Sequence, residues 1–103
     1  MITNLIVTGP FEAGFVLRPG NDFAIIAWSD QGMLNVRIKC FVRPPVPPTY
    51  RECNECGGYD VESGAQIKSR VNEKLFYQST GFINIVASDR TDHVVAQTIH
   101  IRG

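Results

Sequence analysis

Hydrophobic and polar residues alternate along two long stretches of this chain. Leu34, Val36, Ile38, Cys40 and Val42 are interleaved with Asn35, Arg37 and Lys39, and a second alternating run closes the chain from Phe82 to Arg102. Successive side chains of a strand point to opposite faces of its sheet, so a period of two describes antiparallel strands with one dry and one wet side. Asp22 to Ser29 differs, with Phe23, Ile25 and Ala27 on one face and Ala24, Ile26 and Trp28 on the other. Two apolar faces predict a central strand with Trp28 mostly buried. The expected core is Leu34, Val36, Ile38, Ile83, Ile85, Ile99 and Ile101, with Trp28 beside them.

Turn residues divide the rest. Gly9-Pro10 and Pro19-Gly20 bound short strands at about Thr3 to Thr8 and Gly14 to Leu17. Asp30-Gln31-Gly32 supplies a hairpin turn with glycine where a positive φ is required, and Asp89 to Asp92 turns Phe82 to Ser88 into His93 to Arg102. Between Ser63 and Gln78, Ile67, Val71 and Leu75 suit both a helical i, i+4, i+8 spacing and alternate strand positions. A strand with a helical turn at its start is the favoured reading.

Pro44-Pro45-Val46-Pro47-Pro48 lacks four backbone donors, favours polyproline II geometry and is unsuited to an internal strand. The excursion is expected to run over residues 43–60, longer than an ordinary connection, which points to a binding loop or arm. Proline is already restricted, so such an arm loses little entropy on docking, and Pro44, Pro45, Val46, Pro47, Pro48 and Tyr50 are the candidate partner-binding residues. Pro47-Pro48-Thr49-Tyr50 also fits the Pro-Pro-x-Tyr pattern read by WW domains, but a stiff arm explains it as well.

Residues 1–103 thus read as one all-β domain of about seven strands, an immunoglobulin-like antiparallel β-sandwich with a long Pro/Cys/Gly-containing loop. Ten basic and ten acidic residues cancel, without runs of either sign, which removes the footprint of a nucleic-acid or anionic-membrane binder. No apolar run approaches the roughly 20 residues needed to span a bilayer, and the start Met1-Ile2-Thr3-Asn4 lacks a basic leader. The expectation is a protein made in the cytoplasm with no membrane partner.

Three cysteines suit reduced thiols or a metal better than a disulfide framework. Cys53-Asn54-Glu55-Cys56-Gly57-Gly58 is the strongest local signal: two thiolates of such a knuckle could chelate zinc, with Cys40 as third ligand and His93, His100 or Glu55 as fourth. A redox dithiol is a further alternative, weakened because nothing places the pair at a helix N-terminus. Unliganded loop cysteines or an incidental disulfide are the more ordinary reading, so no cofactor is expected. His93 and His100 have no nucleophile near them in sequence, and no segment combines nucleophile, base and orienting acid, so no enzymatic activity is expected.

Two segments carry a resemblance. Leu17-Arg18-Pro19-Gly20-Asn21-Asp22-Phe23 resembles the lead-in to strand B of bacterial and phage immunoglobulin-like domains, and Thr80-Gly81-Phe82 through Asp89 resembles their Gly-aromatic lead-in to strand F and the following turn. Phe82 stands where such domains place a corner tyrosine, and no cysteine pair bridges strands B and F. The resemblance implies a non-catalytic structural protein of a tailed-phage virion, foremost a head decoration protein that binds the capsid shell or sister subunits and could self-associate. A tail, fibre or adhesion module is the alternative within that class, and a small metal or redox protein using Cys53 and Cys56 is the alternative outside it.

Overall fold

In the computed structural model, residues 1–43 and 57–103 are described, together with the backbone of Arg51–Cys53. Among them are nine strands and no helix: β1 (Ile2–Thr8), β2 (Val16–Leu17), β3 (Asp22–Ser29), β4 (Met33–Arg43), β5 (Arg51–Cys53), β6 (Gly58–Glu62), β7 (Gln66–Arg70), β8 (Thr80–Ser88) and β9 (Val94–Arg102). They form two sheets, one ordered β1-β3-β7 and the other β2-β9-β8-β4-β5, with β6 also pairing β4. Neighbours are antiparallel, except that β2 runs parallel to β9. The chain is therefore an all-β, two-sheet sandwich.

The alternation decides what lies between the sheets. Phe23, Ile25, Ala27 and Ile67 of the small sheet meet Leu34, Val36, Ile38, Val42, Ile83, Ile85, Ile99 and Ile101 of the large one in a single buried cluster. All seven aliphatic core residues expected from the pattern are in it. Trp28 is not. It shares its face with Ala24 and Ile26, whereas Phe23, Ile25 and Ala27 are the residues turned inward, so Trp28 lies half-buried on the outer side of the small sheet. Two apolar faces here mean one core face and one outer face, because no third layer covers the small sheet among the described residues.

The long excursion is shorter than expected. Its middle, including Pro44 to Tyr50 and Cys56, lies outside the described residues, but Arg51–Cys53 and Gly58–Glu62 pair with β4 as strands. Tyr59 and Val61 alternate with Gly58, Asp60 and Glu62, a period-two signal too short to stand out beside the glycine pair before it.

The segment from Ser63 to Gln78 also departs from expectation. Only Gln66–Arg70 is strand, and the helical turn comes after it: Asn72 Oδ1 accepts the Leu75 amide at 2.9 Å, and the Asn72 carbonyl accepts the Phe76 amide at 3.2 Å. This turn drives Phe76 completely into the core, where it meets Gly81. A Cβ on Gly81 would collide with the Phe41 carbonyl of the paired strand and touch the Phe76 ring, so glycine is required there by close approach.

Candidate docking surface

The outer side of the small sheet is assembled by its register. Ile6 of β1 stands opposite Ile26, Asn4 opposite Trp28 and Thr8 opposite Ala24, while Ala24 and Ile26 face Lys68 and Gln66 of β7. The central strand thus offers Ala24, Ile26 and Trp28 in a row, and Ile6, 41% exposed, extends the row sideways. Sheets of this kind normally turn polar side chains outward, so a contiguous apolar strip on the wet face is the feature that marks an interaction surface. The Trp28 indole packs over the turn at Gly64, where a Cβ would come within 3.2 Å of Nε1, so the ring is held against the sheet.

The two edges of this sheet differ. β7 carries Lys68 and Arg70, and Arg70 Nε donates to Asp22 Oδ1 at 2.8 Å. Charged side chains of this kind discourage pairing with another strand. β1, Ile-Thr-Asn-Leu-Ile-Val-Thr, has no charge, proline or glycine. It is blunted by a register shift between Ile2 and Asn4, by His93 Nδ1, which accepts the Ile2 amide, and by Asn4 Oδ1, which accepts the Leu5 amide at 2.9 Å.

The charged groups elsewhere are arranged for structure. The Met1 α-ammonium lies 2.6 Å from Asp30 Oδ1 and 2.6 Å from Asp89 Oδ2, the Asp89 side chain being fully buried. Asp89 Oδ1 also accepts the Thr91 amide, the Thr91 hydroxyl and the His93 amide, and His93 Nδ1 accepts the Ile2 amide at 3.0 Å. The ammonium first, then Thr91 and the His93 amide, hold the Asp89 carboxyl far below its ordinary value, and Asp30 followed by Asp89 raise that of the ammonium. The cluster ties the first strand to the β8–β9 turn. The Thr91 hydroxyl is engaged by Asp89, and His93 Nδ1 by the Ile2 amide.

On the outer side of the large sheet Phe41 and Phe82 stack across the strands, with ring centroids 4.7 Å apart. Phe11 and Phe15 stack at 4.0 Å in the β1–β2 connection and lean on the core.

Among the described residues the zinc candidates do not come together. Cys40 is buried and disulfide-bonded, which fits the incidental disulfide and not the reduced thiol, and a disulfide sulfur is not a thiolate ligand. The β4–β5 register sets Cys53 directly across from Cys40, at the Cα separation of roughly 4.5–5.5 Å that cross-strand pairs share with disulfides. The side chains of Cys53 and Cys56 lie outside the described residues. Among the described residues no group of three or more His, Cys, Asp or Glu could hold a metal ion. The expected partner-binding residues Pro44, Pro45, Val46, Pro47, Pro48 and Tyr50 also fall outside them. The apolar strip was missed in the sequence although its signal, the second apolar face of Asp22–Ser29, was visible.

No family profile matches the chain, and no curated protein does. Among solved structures the chain is similar to part of a β-glucosidase from Listeria innocua, determined in complex with gluconolactone, at a TM-score of 0.45 and 11% identity over 97% of this chain. The chain spans only 16% of that enzyme's length, and a likeness this slight carries no argument.

Proposed function

We propose that this domain is a non-catalytic structural protein that docks onto another protein through the outer side of its small sheet. The observation that carries this reading is the strip Ile6, Ala24, Ile26 and Trp28, an apolar surface on the wet side of a three-stranded sheet.

The assembly we propose is a virus particle, with the domain as a head decoration protein on the capsid shell. Support comes from the resemblance of Leu17–Phe23 and Thr80–Asp89 and from strand order: β1-β3-β7 and β4-β8-β9 follow the A-B-E and C-F-G orders of immunoglobulin-type sandwiches. On this reading the proline arm at Pro44–Pro48 adds a second contact with the shell or sister subunits. A fibre or adhesion role has less support because the aromatic pairs lie against the body of the domain.

Shells lacking the protein, mixed with purified domain and recovered by sedimentation, provide the test. Wild type should add to the shells, while Ile26→Lys and a chain lacking Pro44–Pro48 should each fold and bind at least about tenfold more weakly, as expected when a hot-spot contact is lost. Undiminished addition of both variants would overturn the docking reading.

A further inference from the structure

We propose that β1 pairs with β1 of a second copy, joining two small sheets into one six-stranded sheet about a two-fold axis through Ile6. This goes beyond the docking reading: the second copy takes the open edge of β1 and leaves the outer side of the joined sheet uncovered. The Leu5 amide is bonded to the Asn4 side chain, and its partner Ala27 turns its carbonyl away from β1 to accept the Gly64 amide, so Leu5 points to the open edge; backbone groups alternate along an antiparallel strand, so those of Val7 point the same way. Only one arrangement about Ile6 uses both residues. Leu5 of one copy faces Val7 of the other in two hydrogen-bonded pairs, four main-chain bonds in all, with Ile6 facing Ile6 between them.

Side chains suit the same register. Ile26, Ile6, Ile6 and Ile26 become a continuous apolar row across the joined sheet, since Ile6 already stands opposite Ile26 in each copy. Asn4 falls opposite Thr8 of the second copy, an amide facing a hydroxyl, and both are exposed polar residues. Charge selects this edge over the other: β1 has none to oppose, whereas a symmetric pairing of β7 about Lys68 would set lysine against lysine. Forming the pair requires the Asn4 side chain to release the Leu5 amide, whose place is taken by the Val7 carbonyl of the second copy.

Sedimentation velocity over a wide dilution series tests the pairing, with the full chain. Wild type should show a monomer–dimer equilibrium. Ile6→Lys alone and Ile6→Glu alone should each weaken the dimer by about a hundredfold or more, because like charges meet at the axis, and mixing the two variants should restore a heterodimer. Asn4→Glu combined with Thr8→Lys, which changes only exposed polar positions, should tighten the dimer severalfold and reads out the register even if the Ile6 variants fold poorly. A wild type that stays monomeric, a dimer unaffected by Ile6→Lys, or a mixture that fails to recover would overturn the proposal. A monomeric wild type that still adds to shells would overturn the pairing and leave the docking role standing.

Discussion

Gly81 and Phe76 meet where the β7–β8 connection packs on the large sheet. Gly81→Ala must displace the paired backbone at Phe41, and overpacking of this kind costs about 1–3 kcal/mol. Phe76→Ala empties a fully buried site and should cost about 3–5 kcal/mol, and Ile38→Ala about 2–5 kcal/mol. Urea unfolding of the three variants checks these values, and an unchanged midpoint for Gly81→Ala would refute the close approach. Gly81 was legible as part of a Gly-aromatic motif, but the reason for it was not, because the Phe41 carbonyl that excludes a Cβ comes from a distant strand. Phe76 was illegible for a related reason: a residue that plugs the core from a turn belongs to no periodic pattern. Trp28 was misread because alternation shows that a face is apolar without showing what covers it.

At the scale of elements, the long alternating strands were readable almost to the residue, since β3, β4, β8 and β9 each bury one face against the opposite sheet. β6 was hidden by its shortness, and its pairing with β4 from Met33 to Arg37 depends on register that sequence does not reveal. The Cys40 disulfide was legible only as an incidental pairing, because three cysteines leave room for one pair without saying which, and the β4–β5 register that brings Cys53 opposite emerges only from the fold. Such a link restricts the unfolded chain, so Cys40→Ser should lower stability by about 2–4 kcal/mol, and reductant should lower the melting temperature of wild type but not of the variant. Equal melting of wild type with and without reductant would show that the link adds nothing. The uncharged edge of β1 was fully legible, but that it is an edge emerges only from the strand order.

For the whole molecule, the ion cluster at Met1, Asp30 and Asp89 sets the response to pH. The Asp89 carboxyl is held below its ordinary 3.8, and Asp22, beside Arg70, is lowered as well, so their contributions are present above about pH 4 and are lost as pH falls through the folded-state values. The Met1 ammonium is raised above its ordinary 8.0, so its contribution is complete below that pH and is lost as pH rises through the folded-state value. Melting temperature should therefore hold a plateau between about pH 4 and 8 and fall on both sides. Asp89→Asn should flatten the acid limb, and an unaltered limb would assign it to other groups. The central claim concerns the outer side of the small sheet, and Trp28, the one tryptophan of the chain, reports on it directly. Hydroxyl-radical footprinting read by mass spectrometry compares its labelling in the free domain and on the recovered shell. Half-buried and facing outward, Trp28 should be labelled in the free domain and strongly protected once assembled, while Tyr77, 70% exposed on another part of the surface, keeps its labelling. Equal labelling of Trp28 in the two states would contradict the account.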